Sequence, residues 1–394
     1  MFEQTFRALQ ALFPAVDRLN YMEHFKKNGL MGLEGDIKRL IEESHIDTLL
    51  IFRHADSFVL TPEFLQELKT LHVRIIFMFF DDEMYLHSLS KYYAQVADGV
   101  ITTDYYGSFY YEQIGIPCEV YFSGYSKEIY YPKEVKKDID VSFVGNLLKQ
   151  DRKAYVDYLE NQGIYVETFG VGAKNYFLEE SEFADIFSRT KINLNFTKTE
   201  MTLSYVTQED PLSLKTRQNK GRPIEIALCG GFCLSEYAPT LGKVFEIGEQ
   251  IDQFETKEEL YAKVRYYLDH PDIAEAMAQK AYQKALEDYE ISHYLNGVFQ
   301  ALEHKIEHRS FDVYPLLYNK HFLWLKSQAF FRYSIRALGF GVQEFFYCLK
   351  RGLYPYRFVN IFGYLSGVVK IPYDIYNRYL VYKAIKSKNK PSHG

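Results

Sequence analysis

The sequence is poor in cysteine and tryptophan, with four of the former and one of the latter in 394 residues. Cys118, Cys229, Cys233 and Cys348 are too few and too irregularly spaced for a disulfide framework. Cys229 and Cys233 stand four apart but have no Cys/His pair nearby to complete a zinc site, so no metal is expected and the thiols read as buried and reduced. No window approaches the ~18 uninterrupted apolar residues of a membrane-spanning helix. The start, MFEQTFRALQALFP, lacks the basic opening and small-residue cleavage site of a signal peptide, which gives a cytoplasmic expectation. Neither the phosphate-loop lysine motif nor GxGxxG occurs, so nucleotide hydrolysis of that type and dinucleotide binding have no support. Repeats and low-complexity runs are missing too.

What is present is a globular composition, 47% hydrophobic and 25% charged, with 35 tyrosines and 31 phenylalanines. Its length favours two or three domains. The net charge of −6 conceals a strong asymmetry. After residue 310, 13 lysines and arginines stand against 3 acidic residues; before it the balance is 33 against 49. The last fifth of the chain is a basic, aromatic-rich segment attached to an acidic body.

The first half alternates strand-like and helix-like segments, the pattern of a parallel sheet covered by helices. Strands are predicted over Asp47–Arg53, Val73–Phe79, Gly99–Thr103 and Cys118–Phe122, although residues 1–15 read as helix where an opening strand is usual. A polar stretch, SKEIYYPKEVKKD, then reads as a linker. The alternation restarts with DVSFVG, DRKAYVDYLENQG, YVETFG, EFADIFSRT and KINLNF, followed by a long polar loop, 199–220. KGRPIEIALCGGFCLSE supplies a helix opened by Pro223, stopped by Gly230-Gly231 and followed by a strand. Thr256 with Glu259 gives a capping-box pattern, and Pro271 opens a helix with Ile273, Met277, Ala281 and Ala285 on one face. These segments predict two tandem Rossmann-like units and a helical tail: domains at 1–130, 131–300 and 301–394.

Ligands of open parallel sheets bind beyond the carboxyl ends of the strands. There the second unit carries Gly145, Asn146, Gly170, Gly172, Asn195 and Thr197, and the first carries His54, Asp56, Asp81 and Asp82. Basic residues gather at the same level: Lys149, Arg152 and Lys153 after one strand, and Lys215, Arg217, Lys220 and Arg222 before the helix that holds Glu225. Cations beside a helix N-terminus suit a diphosphate, and a carboxylate just inside suits the vicinal hydroxyls of a ribose. Ordinary helix-start and helix-stop chemistry accounts equally for Pro223, Glu225 and the glycines.

The run KGRPIEIALCGGFCLSEYAPTLGKVFEI, with TKEELYAKVRYYLDHPD after it and DVSFVGNLLKQDR before it, resembles the C-terminal domain of CgeB-like, spore-maturation-type glycosyltransferases of the GT-B fold. FDDE, ADGVITTD and YFSGYSKEIYYP fit the N-terminal half more loosely, and the likeness covers roughly residues 40–295. It implies an α/β protein of two Rossmann-like domains facing a cleft. The implied activity moves a sugar from a nucleotide-diphosphate donor, UDP- or GDP-linked, to a glycan, lipid-linked or protein acceptor, as in surface polysaccharide synthesis. No tightly bound cofactor and no metal are implied. By position Glu225 would hold the ribose, Lys220, Arg222 and Arg152 would neutralise the departing diphosphate, and Gly145 and Gly170 would admit the nucleotide to the backbone; Asn146 and Asn195 complete the donor-side set. Arg217, eight residues before Glu225, stands where many retaining relatives carry the first Glu of Glu-x7-Glu, so the resemblance carries no stereochemistry. An inverting enzyme needs a base; Asp81, Asp82 and His54 are the candidates, against the plain readings of helix cap and structural histidine. Alternatives to the transferase are a nucleotide-sugar epimerase of the same fold and a non-catalytic glycan-assembly or coat protein.

Residues 311–394 lie outside the resemblance. Their interleaved aromatics and Lys/Arg fit an anionic membrane surface, packing back onto the acidic body, or an oligomer interface; nucleic acid is not expected beside an acidic body.

Overall fold

The computed structural model describes residues 2–53, 58–149, 151–199, 217–307, 318–369 and residue 372. The chain opens with helices α1 (Phe2–Leu12) and α2 (Tyr21–Glu43). Strand β1 (Thr48–Arg53), helix α3 (Pro62–Leu68), β2 (Arg74–Phe79), the short helices α4 (Asp82–Tyr85) and α5 (Lys91–Ala94), β3 (Gly99–Thr102), α6 (Tyr105–Gln113) and β4 (Cys118–Val120) follow. The four strands form one sheet in the order β1-β2-β3-β4. Each predicted strand of this half is present with one end trimmed by one or two residues, and a helix does occupy the start of the chain. Local chemistry sets the boundaries: Thr61 caps α3 by accepting from Phe64 N–H at 3.2 Å, with Pro62 in the first turn, where its missing N–H is harmless.

The second sheet is built from β5 (Ile139–Val144), α7 (Arg152–Asn161), β6 (Val166–Phe169), α8 (Phe183–Arg189), β7 (Thr190–Asn195), α9 (Arg222–Leu228), β8 (Cys233–Glu236), β9 (Asp252–Phe254), α10 (Lys257–Asp269) and α11 (Pro271–Asp288). All its pairings are parallel, in the order β6-β5-β7-β8-β9. Its central strands are covered on both faces, which is why they read as continuous apolar runs. Val141, Phe143, Ile192, Leu194 and Leu234 are all buried, with Phe232 and Phe254 in the same core. Thr256 accepts from Glu259 N–H at 3.1 Å to start α10, and Met277, Ala281 and Ala285 of α11 face inward. Gly230, at φ +67°, turns the chain from α9 into β8.

Helix α12 (Ile291–Glu307) crosses the boundary expected at residue 300 and packs on α1, β3 and β4. Gly99 is a glycine because a Cβ there would press on Leu302 and Ile306 of that helix. The compact units therefore differ from the expected domains. One comprises 1–17, 77–87 and 98–311; the other comprises 18–76, 88–97 and 312–394.

The second unit contains the basic tail. Helices α13 (Lys320–Ala337) and α14 (Val342–Leu353) pack on each other, α14 packs on α2, and residues 358–369 form a further helix, α15. Phe322 stacks on Tyr318, meets Tyr92 at a tilt and meets Phe58 edge-on. Lys326 is buried against Glu63 at 2.6 Å. Arg351 bridges Glu34 and Glu67, and Glu344 accepts from Leu30 N–H just after α2 kinks at Gly29. Tail cations thus meet body carboxylates, one of the expected uses of the charge asymmetry.

Candidate active site

The strand order of the second sheet reverses between β5 and β7, the place where an open parallel sheet leaves a crevice beyond its carboxyl edge. A cavity of about 480 Å³ lies there, within the first unit. Its walls carry Gly145 and Asn146 after β5, Asn195 after β7, and Lys149, Arg152, Lys198, Lys220, Arg222 and Glu225, with Asp81, Met84 and Tyr85 on the acidic side. Seven of the eight expected donor-side residues line it. A second hollow, of about 360 Å³ between Lys127, Tyr130 and Tyr282, gathers no comparable set of cations.

Gly170, the eighth, acts from behind the wall. Gly145 N–H donates to Phe169 C=O at 2.9 Å, and a Cβ on Gly170 (φ +116°) would collide with the Gly145 carbonyl oxygen. A bare backbone at Gly170 therefore lets the β5 loop lie flat at the mouth of the crevice. Asn146 Oδ1 accepts from Leu148 N–H at 2.9 Å, closing the turn after β5, while Asn195 Nδ2 donates to Ser235 at 2.8 Å. Arg152 ties the two strand ends together: Nη1 donates to Asn146 C=O at 3.0 Å and Nη2 to Lys198 C=O at 3.2 Å. Its charge underlies the crevice floor, with the chain of the two loops between it and solvent.

The residues of the α9 motif are arranged differently from the simple order of cations first and carboxylate second. Arg222 donates to Glu225 within α9, and its guanidinium lies over Phe183 and Phe187, 4.9 and 5.5 Å from the ring centres. Tyr125 hydrogen-bonds the same carboxylate, which with burial holds the phenol well above its ordinary range. Seven residues give α9 little macrodipole, so side-chain cations are the main positive charge here.

Two features escaped sequence reasoning. Glu236, at the end of β8 and almost fully buried, accepts from Thr197 N–H at 2.9 Å and Lys198 N–H at 3.1 Å, and Lys198 Nζ lies 3.3 Å from it and 2.6 Å from Asp151. Arg217 also approaches Glu236, at 3.9 Å. Glu236 is flagged only by its acid-after-strand position. The other is Gln218, whose Nε2 donates to Asp81 at 3.2 Å and Glu83 at 3.3 Å while its Oε1 accepts from Lys220. Lys220 Nζ is 4.0 Å from Asp81. Burial, with Asp104 and Asp81 nearby, pushes Glu83 up to about 8, and burial also lowers Lys220. At neutral pH Glu83 is therefore largely protonated, and the Gln218 amide joins it to Asp81 and Lys220.

The three base candidates part company. Asp81 sits at φ +54° on the cavity wall with its side chain 62% exposed. Asp82 is fully buried, and Thr102 Oγ1 and Tyr111 OH donate to its carboxylate at 2.7 and 2.8 Å; it ties β3 and α6 together and is not among the residues lining the crevice. His54 lies outside the described residues, as does most of the 199–220 loop. Among the described residues no cluster of three His, Cys, Asp or Glu could hold a metal, and all four cysteines are buried thiols. No described helix is long and apolar enough to cross a membrane.

Residues 133–300 match the glycosyl transferase-like family model. No curated protein matches the sequence. Among solved structures, HepE of Anabaena, in complex with UDP and glucose, superposes with a TM-score of 0.51 at 12% identity over 69% of this chain and 81% of its own. A glycosyltransferase of Rickettsia africae gives 0.51 at 8% identity over 75% and 84%, and sucrose-phosphate synthase of Thermosynechococcus elongatus 0.51 at 10% over 74% and 81%. The chain has the GT-B fold, and the stretch that matches the glycosyl transferase-like model, 133–300, supplies most of the residues that line the crevice.

Proposed function

We propose that the chain is a glycosyltransferase that takes a nucleotide-diphosphate sugar, of the UDP or GDP class, into the crevice at the β5/β7 switch point and passes the sugar to a glycan, lipid-linked or protein acceptor. The observation that carries this is the convergence of Lys149, Lys198, Lys220 and Arg222 with the carboxylate of Glu225 in one cavity. Breaking a glycosidic phosphate ester leaves charge on the diphosphate, and fixed cations stabilise that charge where it develops. In this reading Lys220 and Arg222 face the diphosphate, Arg152 supports them through the strand-end loops, and Glu225 accepts from the ribose hydroxyls once Arg222 turns to the phosphate. Asp81, exposed on the opposite wall, takes the acceptor proton, and Gly145 and Gly170 keep the backbone open to the nucleotide. The CgeB-like subfamily fits the α9 motif, and a cytoplasmic enzyme peripheral to the membrane in polysaccharide or glycoconjugate synthesis fits the basic tail.

Thermal shift against UDP-, GDP-, CMP- and dTDP-sugars tests the site, since a ligand that binds only the folded state stabilises it in proportion to log concentration. One donor class stabilises the wild type, and Lys220→Ala and Glu225→Ala each weaken that donor about tenfold to a hundredfold, the value of a charge-assisted hydrogen bond of ~1.5–3 kcal/mol. Undiminished binding in both variants overturns the assignment. Donor interconversion without any acceptor identifies an epimerase instead.

A further inference from the structure

Helix α15 is amphipathic in the reverse sense. Asn360, Gly363 and Gly367, spaced for one face, are buried. Added Cβ atoms would strike Ser327 and Trp324 at Gly363, and Phe331 at Gly367, so α15 lies close against α13 through its smallest residues. Tyr364 meets Phe331 edge-on at 5.2 Å, and Gln328 donates to Ser366 at 3.1 Å. The opposite face, at helical spacing, is Phe358, Ile361, Phe362, Leu365, Val368 and Val369. All six are exposed, Phe358 at 74% and Val369 at 78%. Phe346 of α14 and Leu338 and Phe340 of the preceding turn are exposed as well. Single exposed apolar residues are ordinary, but six on one helical face are not.

Charge identifies what covers this face. Between residues 320 and 369 there are seven lysines and arginines and a single carboxylate, Glu344, which is buried under α2. Arg336, Lys350 and Arg357, on α13, on α14 and just before α15, are exposed. A second copy laid on the same face would set these cations against their own likes, with no exposed carboxylate among the described residues of the segment to answer them. An anionic lipid surface supplies both halves of the match: acyl chains for the aromatic and aliphatic face, and headgroups for the cations.

We propose that α15 is an in-plane membrane anchor, seated by Phe358, Ile361, Phe362, Leu365, Val368 and Val369 in the interface of an anionic bilayer. This rests on the membrane-side placement proposed for the tail and names the element and face that make it. The test is co-sedimentation of the full-length chain with vesicles of phosphatidylcholine alone and of phosphatidylcholine with 30–40% phosphatidylglycerol, an anionic fraction of about a third. The wild type binds the anionic vesicles at least tenfold better than the neutral ones, and Phe358→Ser/Leu365→Ser lowers that binding at least tenfold. The substituted side chains are exposed, so unchanged circular dichroism and unchanged nucleotide-sugar thermal shift accompany the loss. Equal binding of wild type and variant overturns the anchor while leaving a charge-only attachment of the tail. No binding by the wild type overturns both. A wild-type dimer that the same double substitution turns into monomer, without vesicle binding, assigns the face to a second copy and overturns the anchor.

Discussion

Replacing Glu83 by Gln removes a carboxylate whose ionisation opposes the folded state. Glu83 is buried behind Asp81 and Met84 of the crevice wall, and burial, with Asp104 and Asp81 adding like charge, pushes its carboxyl up to about 8 from 4.5. The folded state binds this proton more tightly than the unfolded chain. Stability from the group is therefore complete below about pH 4.5 and is lost as pH rises to about 8. At ~1.36 kcal/mol per pH unit the loss amounts to at most about 5 kcal/mol, and coupling to Asp81 and Lys220 makes a few kcal/mol the reasonable expectation. Urea unfolding of wild type and Glu83→Gln at intervals from pH 5 to 9 reads the difference directly. The two profiles converge near pH 5 and separate steadily, with the variant more stable by a few kcal/mol at pH 9. With Lys220 in its proposed place at the diphosphate, the donor KM follows the same titration, because an ionised Glu83 draws Lys220 toward the acidic wall. Parallel stability profiles with no divergence between pH 5 and 9 refute the reasoning, since they mean that Glu83 is charged in the folded protein throughout.

Two further predictions concern the frame around the site and the tail. Gly170→Ala puts a Cβ against the Gly145 carbonyl at a left-handed φ, costing roughly 1–3 kcal/mol of stability; it also raises the donor KM more than kcat falls, and an unchanged KM in steady-state kinetics counts against a role for the β5 loop in binding. Lys326→Ala leaves Glu63 with an uncompensated buried charge and destabilises by about 3–5 kcal/mol, whereas Lys326→Met with Glu63→Leu recovers most of the loss. A double variant as unstable as the single one in thermal unfolding denies that this ion pair docks the tail.

Much of the frame was legible because it is written in local periodicity. DVSFV and KINLNF read as buried parallel strands, Thr61-Pro62 and Thr256 as helix starts, and Gly230 as a stop, because each rests on neighbours within one turn or one strand. The gathering of cations at the crevice was also visible, since parallel strands send the residues that follow them to one edge. Side-chain partners were not visible. Nothing in the spacing distinguishes Asp81, exposed on the cavity wall, from Asp82, tied to Thr102 and Tyr111, because the difference is made by β3 and α6, some 20 to 29 residues onward.

The sequence by itself determined the alternation of strands and helices, the motif around α9 and the concentration of positive charge after residue 310. Tertiary structure alone decided that Gln218 links Lys220 to Asp81 and Glu83, that Glu236 braces the loop after β7, and that Arg222 holds Glu225. It also decided that Lys326 of α13 and Arg351 of α14 pair with Glu63, Glu34 and Glu67 while α15 turns its apolar face outward. The reason is that helical spacing defines a face, whereas only the packing of distant elements determines which face is covered.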